Sequence, residues 1–77
     1  MTLDELTAGE SGKILAVDGE GALRCRLLDM GLTPRTRLTL QKVAPLGDPI
    51  EIRVRGYELT LRIDDARLIR VEKEEQA

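Results

Sequence analysis

The segment from Ile50 to Ile63 admits few structures. Ile50, Ile52 and Val54 alternate with Glu51, Arg53 and Arg55, and Leu59, Leu61 and Ile63 alternate with Glu58, Thr60 and Arg62. A side-chain repeat of two puts every apolar residue on one face of a strand pair. Gly56-Tyr57 between the runs reads as a two-residue hairpin loop with glycine first, the type II′ pattern. In that register Val54 faces Leu59, Ile52 faces Leu61 and Ile50 faces Ile63. On the outside, Arg55 faces Glu58, Arg53 faces Thr60 and Glu51 faces Arg62, so opposite charges pair across the strands.

The remainder of the chain supplies partners for this hairpin. Thr2-Leu3-Asp4-Glu5 has capping-box spacing and places Leu3 and Leu6 on one short helical turn. After a loop over 7–12, Lys13–Val17 reads as a first strand ended by Asp18-Gly19. Gly21–Leu32 reads as the one helix: Leu23, Leu27 and Met30 form an apolar stripe, and Gly31 stands where a helix ends in a left-handed residue. Cys25 and Leu28 fall on roughly the opposite side. Thr33-Pro34-Arg35-Thr36 is a turn, and Arg37–Val43 a strand with Leu38 and Leu40 inward, its alternation fading at Lys42-Val43. Ala44–Pro49 contains two prolines and a glycine and reads as a stiff loop. Asp64–Arg67 is a polar turn, Leu68–Val71 a last strand, and 72–77 a charged tail expected to fray, leaving 1–71 as the domain.

Seventy-seven residues form one small domain, and a chain of this size buries only about 60% of its unfolded surface. A single cysteine permits no internal disulfide, and the absence of histidine argues against a conventional zinc staple. The core must come from Leu, Ile and Val, which a closed sheet with no free edge suits best. The expected fold is therefore mainly β, a small SH3-like five-stranded barrel with one helix between its first and second strands. A lone thiol fits a reducing compartment. With no apolar segment long enough for a signal or a membrane span, the chain reads as soluble and cytoplasmic.

No arrangement of residues reads as an active site. Gly9-Glu10-Ser11-Gly12-Lys13 resembles the end of a phosphate-binding loop, but Thr7 replaces the first glycine, Ile14 follows the lysine, and strand and helix come in the wrong order. Cys25 has no histidine to activate it. Asp64 and Asp65 are adjacent carboxylates on a turn and diverge. No catalytic residue, metal ligand or cofactor is expected. Twelve basic residues are interleaved with fourteen acidic ones for a net charge of −2, and Tyr57 is the only aromatic. Nucleic acid, anionic membrane and proline-rich peptide are therefore poor partners. What remains are surfaces: Leu28 with Asp29 on the helix, and Leu46 in the stiff loop, are apolar or flanking residues outside the expected core.

Three motifs carry a resemblance. Arg26–Pro34 (RLLDMGLTP), Ala44–Pro49 (APLGDP) and Arg55-Gly56-Tyr57, in that order within Leu3–Val71, closely resemble the FeoA family. The resemblance implies a small cytoplasmic SH3-like protein of bacterial ferrous-iron uptake, whose partner is FeoB, a membrane permease with a cytosolic GTP-binding domain. A related domain ends some metal-dependent repressors, but no helix-turn-helix half is present here, which favours a free-standing module. Two positions depart from the family pattern. Arg35 replaces a common glycine, which favours a type I turn over type II, and Cys25 replaces a basic or polar residue. The expected function is a non-enzymatic accessory or regulatory protein docking on the FeoB-type transporter through Arg26, Leu28, Asp29, Leu32, Leu46 and Asp48. A metal-responsive regulatory domain and a self-associating homo-oligomer are the alternatives.

Overall fold

The computed structural model describes residues 1–74. A 3₁₀ turn (Leu3–Glu5) precedes β1 (Ser11–Val17), α1 (Gly21–Asp29), β2 (Arg37–Val43), β3 (Ile50–Val54), β4 (Tyr57–Leu61), α2 (Ile63–Ala66) and β5 (Ile69–Glu74). The fold is mainly β, with the one longer helix between the first and second strands. The five strands form one antiparallel sheet in the order β4-β3-β2-β1-β5. β4 and β5 do not pair with each other, so the sheet is open rather than the closed barrel expected from chain size. The inner faces of all five strands nevertheless share one apolar cluster with Leu27, Leu32, Leu3 and Leu6. The segment before β1 covers the outer edge of β5, where the Val71 N–H donates to the Met1 carbonyl at 2.8 Å and Thr2 bridges Arg70.

The hairpin faces are as expected, and its register is not. Val54 pairs with Tyr57, Arg53 with Glu58, Ile52 with Leu59 and Ile50 with Leu61. The loop is therefore Arg55-Gly56, with φ of 51° and 87°. Two consecutive positive φ values define a type I′ turn, whose twist matches the strands better than types I and II. Because the slip is two residues, each side chain keeps its face and only its partner changes.

Two bulges explain where simple alternation fails. Leu15 is an extra residue in β1 opposite β5 and turns outward, and Gln41 is extra in β2 opposite β3, which sets Val43 across from Ile50 at the end of the strand, where Val43 stays exposed. β1 starts at Ser11, earlier than expected, and the ladder reaches back further still: Gly9 N–H donates to Leu40 O at 2.7 Å and Leu40 N–H to Glu10 O at 2.9 Å. β5 runs on to Glu74, where fraying from Glu72 was expected, because Glu72, Lys73 and Glu74 pair with Lys13, Gly12 and Ser11. The Lys73 ammonium also lies against the Glu10 carboxylate and, with the Thr7 N–H, holds its pKa down to about 2. The remainder of the expected tail, residues 75–77, lies outside the described residues.

Candidate functional site

α1 is short, and its end is built by hydrogen bonds that a left-handed glycine permits. Gly31 has φ +94°, its N–H donates to Leu28 O at 3.0 Å, and the Leu32 N–H donates to Leu27 O at 3.2 Å. This is the Schellman arrangement, and Leu27 and Leu32, the residues it brings together, are both 0% exposed. The Tyr57 hydroxyl adds a bond from the sheet, donating to the Met30 carbonyl at 2.6 Å. Leu32 therefore holds the helix end in the core and presents no surface, contrary to its expected place at a docking edge.

Leu28 is also more structural than the sequence suggests. It is half-buried against the core beside Leu23 and Met30, so the apolar stripe is wide enough to take in most of the Leu28 side chain. The side of α1 left in solvent carries Arg24, Cys25, Arg26 and Asp29. Arg24 is tied back to the Val17 carbonyl at 3.1 Å, and Arg26 reaches Asp65 at 3.5 Å.

The second expected surface, the 44–49 loop, is held at both ends. The Ala44 N–H donates to Pro49 O at 2.9 Å, and within the loop the Gly47 N–H donates to Ala44 O at 2.7 Å. Pro45 occupies the second turn position, where its fixed φ is favourable. Leu46 follows at the tip and is 96% exposed. Asp48 accepts from the Ile63 N–H at 3.0 Å and so caps α2. At the base of the loop, Val43, Ala44, Pro45 and Pro49, together with Lys42, Glu51 and Thr60, line a groove of about 320 Å³.

The two expected surfaces meet through α2. Arg26 binds Asp65 within it and Asp48 binds its first N–H, while Arg67, just after it, joins Asp64 at 3.4 Å and Asp4 at 3.9 Å. Arg26 and Asp48 thus fasten the helix and the loop to one short element. Of the six residues singled out in the sequence, Leu46 and Asp29 stand free at the surface, Arg26 and Asp48 brace α2, Leu28 packs on the core and Leu32 lies within it. Val43 and Tyr57, both exposed, were missed by sequence reasoning. The fading alternation at Lys42-Val43 was the available signal for Val43; nothing in the sequence pointed to the Tyr57 hydroxyl bond. Among the described residues no three of Cys, Asp and Glu gather closely enough to hold a metal ion, and no helix is long and apolar enough to cross a membrane.

A family model described as the FeoA domain matches residues 1–73. The chain belongs to the FeoA family. It is 40% identical over 72 residues to the "Fe(2+) transport protein A/Fe(2+) transporter FeoB fusion protein" of Porphyromonas gingivalis W83, covering 94% of this chain. The match spans only 8% of that relative's length. The solution structure of FeoA from Chlorobium tepidum superposes with a TM-score of 0.88 at 42% identity, covering 95% of this chain and 70% of that one. The crystal structure of Stenotrophomonas maltophilia FeoA, solved in complex with zinc and described as a prokaryotic SH3 domain protein, superposes with a TM-score of 0.86 at 26% identity. That match covers 100% of this chain and 99% of the other. The SH3-like FeoA architecture is thus the fold of this chain.

Proposed function

We propose that this protein is a non-enzymatic accessory module of bacterial ferrous-iron uptake that docks on the cytoplasmic part of a FeoB-type GTPase permease. The observation that carries the reading is the relative in which a similar FeoA segment and a FeoB transporter share one polypeptide, which places the two activities at high effective concentration. The geometry is compatible with a docking role: a hydrogen-bonded loop exposes Leu46 next to Pro45, which lines a groove, and α2 ties that loop to a helix whose outer side is polar. An exposed leucine beside a groove offers apolar area that a partner can bury. The donor set supports action without a resident metal, since no histidine and one exposed thiol are available. Ferrous iron is then the transporter's cargo.

The test is a titration of this protein into the cytosolic domain of the FeoB-type transporter from the same cell, with full-length transporter in detergent alongside. Leu46→Asp leaves the fold intact, because the side chain is 96% exposed, and weakens binding about tenfold or more, as expected for a charge placed in an apolar contact. Leu28→Asp is a poor probe, since it puts a charge against the core. Undiminished affinity of Leu46→Asp removes the loop from the interface, and absence of binding to both transporter forms overturns the docking role.

A further inference from the structure

The outward face of the sheet carries a groove unconnected with α1, α2 or the 44–49 loop. It measures about 350 Å³ and is lined by Ser11, Arg37, Thr39, Arg53, Arg55 and Glu74. The register explains the gathering. Glu74, Ser11, Thr39, Arg53 and Glu58 stand directly across from one another in one row over all five strands. Arg37 lies two residues before Thr39 on β2, and Arg55 two residues after Arg53 at the end of β3, so both flank that row on the same side. The floor is neutral: the Ser11 and Thr39 hydroxyls are 2.8 Å apart.

Three guanidinium groups therefore line one concave patch on a molecule whose net charge is −2. Their present partners hold them loosely. Arg53 meets Glu58 at 3.9 Å with both side chains more than half exposed. Arg55 donates to the Thr33 and Thr36 hydroxyls at 3.3 and 3.1 Å and has no carboxylate in reach among the described residues. Arg37 meets Glu74 Oε1 at 3.3 Å, yet that oxygen is buried without a hydrogen bond. The exposed Arg53–Glu58 pair contributes little and exchanges readily. Glu74 shows what the groove accepts: a carboxylate, drawn in by charge and left short of hydrogen bonds.

We infer that this groove recognises an extended acidic peptide segment, and that Glu74 is the internal carboxylate such a segment displaces. The placement of the arginines selects this occupant over a phosphate group. Arg53 is on β3, Arg55 is in the turn that follows it and Arg37 is on β2, so the guanidinium groups are spread along the groove. A phosphate needs donors that converge on one point. These guanidinium groups instead diverge, toward Glu74, Glu58 and the two threonines. Each can take one carboxylate in the forked geometry arginine favours. The inference does not depend on the transporter reading, since any protein carrying such a segment is a candidate.

The experiment is a titration of the isotopically labelled full chain with the peptide Gly-Glu-Gly-Glu-Gly-Glu at low ionic strength, followed by amide shifts. Gly-Gln-Gly-Gln-Gly-Gln and inorganic phosphate serve as comparison probes. Saturable shifts at Ser11, Thr39 and Arg53 with the glutamate peptide alone support the groove. Arg53→Gln with Arg55→Gln weakens that binding about tenfold or more, and Arg53→Gln alone, which breaks only a surface pair, weakens it in the same direction. Glu74→Gln strengthens it several-fold, an effect that loss of fold cannot imitate. No shifts at millimolar peptide, equal shifts with phosphate, or weaker binding by Glu74→Gln would each overturn the assignment.

Discussion

Tyr57 shows how one hydroxyl can join the far end of the sheet to the helix. It donates to the Met30 carbonyl at 2.6 Å, satisfying an acceptor that the helix end leaves free. The same hydroxyl occupies the space a Cβ on Gly31 would need, and Gly31 is itself at φ +94°. Gly31→Ala thus meets two obstacles: a left-handed residue with a side chain costs about 1–2 kcal/mol, and Tyr57 must swing away from Met30. Tyr57→Phe alone loses one partly exposed hydrogen bond, about 0.5–1.5 kcal/mol. Because the second obstacle disappears with the hydroxyl, the two losses do not add. Urea unfolding of both single variants and the double variant should show a coupling of about 0.5 kcal/mol or more in favour of the double. Strict additivity would mean that Tyr57 moves aside at no cost.

At the scale of elements, what the sequence disclosed was periodicity, and what it concealed was backbone handedness. The alternation from Ile50 to Ile63 correctly assigned faces, and Gly31 correctly marked the end of α1. Register depended on which residues accept positive φ, and here two arginines do so, Arg35 at 75° and Arg55 at 51°. Composition argues against both, since glycine or asparagine normally fills such places. The expected type I turn at Thr33–Thr36 is in consequence type II. Pro34 excludes a positive φ at the second position, the third is left-handed, and the Thr36 N–H donates to Thr33 O at 3.1 Å. The docking residues suffered differently: Leu28 looked available because the buried side of α1 is wider than one narrow stripe, and Leu32 because the bonds that turn it into the core lie beyond the helix end. Arg35→Gly tests the handedness argument. It relieves about 1–2 kcal/mol of left-handed strain and adds about 0.4–1 kcal/mol of unfolded-state entropy. Arg35 N–H still reaches Ile14 O. The urea midpoint should rise, by roughly 0.5–1 kcal/mol of stability at unchanged slope; a fall would show that the guanidinium contributes more than the strain costs.

For the whole molecule the open sheet poses the problem of its edges, and the first six residues solve half of it. Leu3 and Leu6 are buried in the common core, while Met1 and Thr2 cover the outer side of β5. The two roles can be separated. Leu3→Ala removes core volume only and costs about 2–5 kcal/mol, a large share of the roughly 4–12 kcal/mol expected for a domain of this length. The chain should unfold at lower urea yet scatter light as the parent protein does, because the β5 edge keeps its cover. Deleting residues 1–6 removes both leucines and also frees the Val71 N–H on an edge strand. Unpaired edges template association, so this variant should gain mass with concentration in light scattering, in addition to losing stability. A truncated chain that stays monomeric at every concentration would mean that the charged side chains of β5 already protect its edge, and that the N-terminal segment serves the core alone.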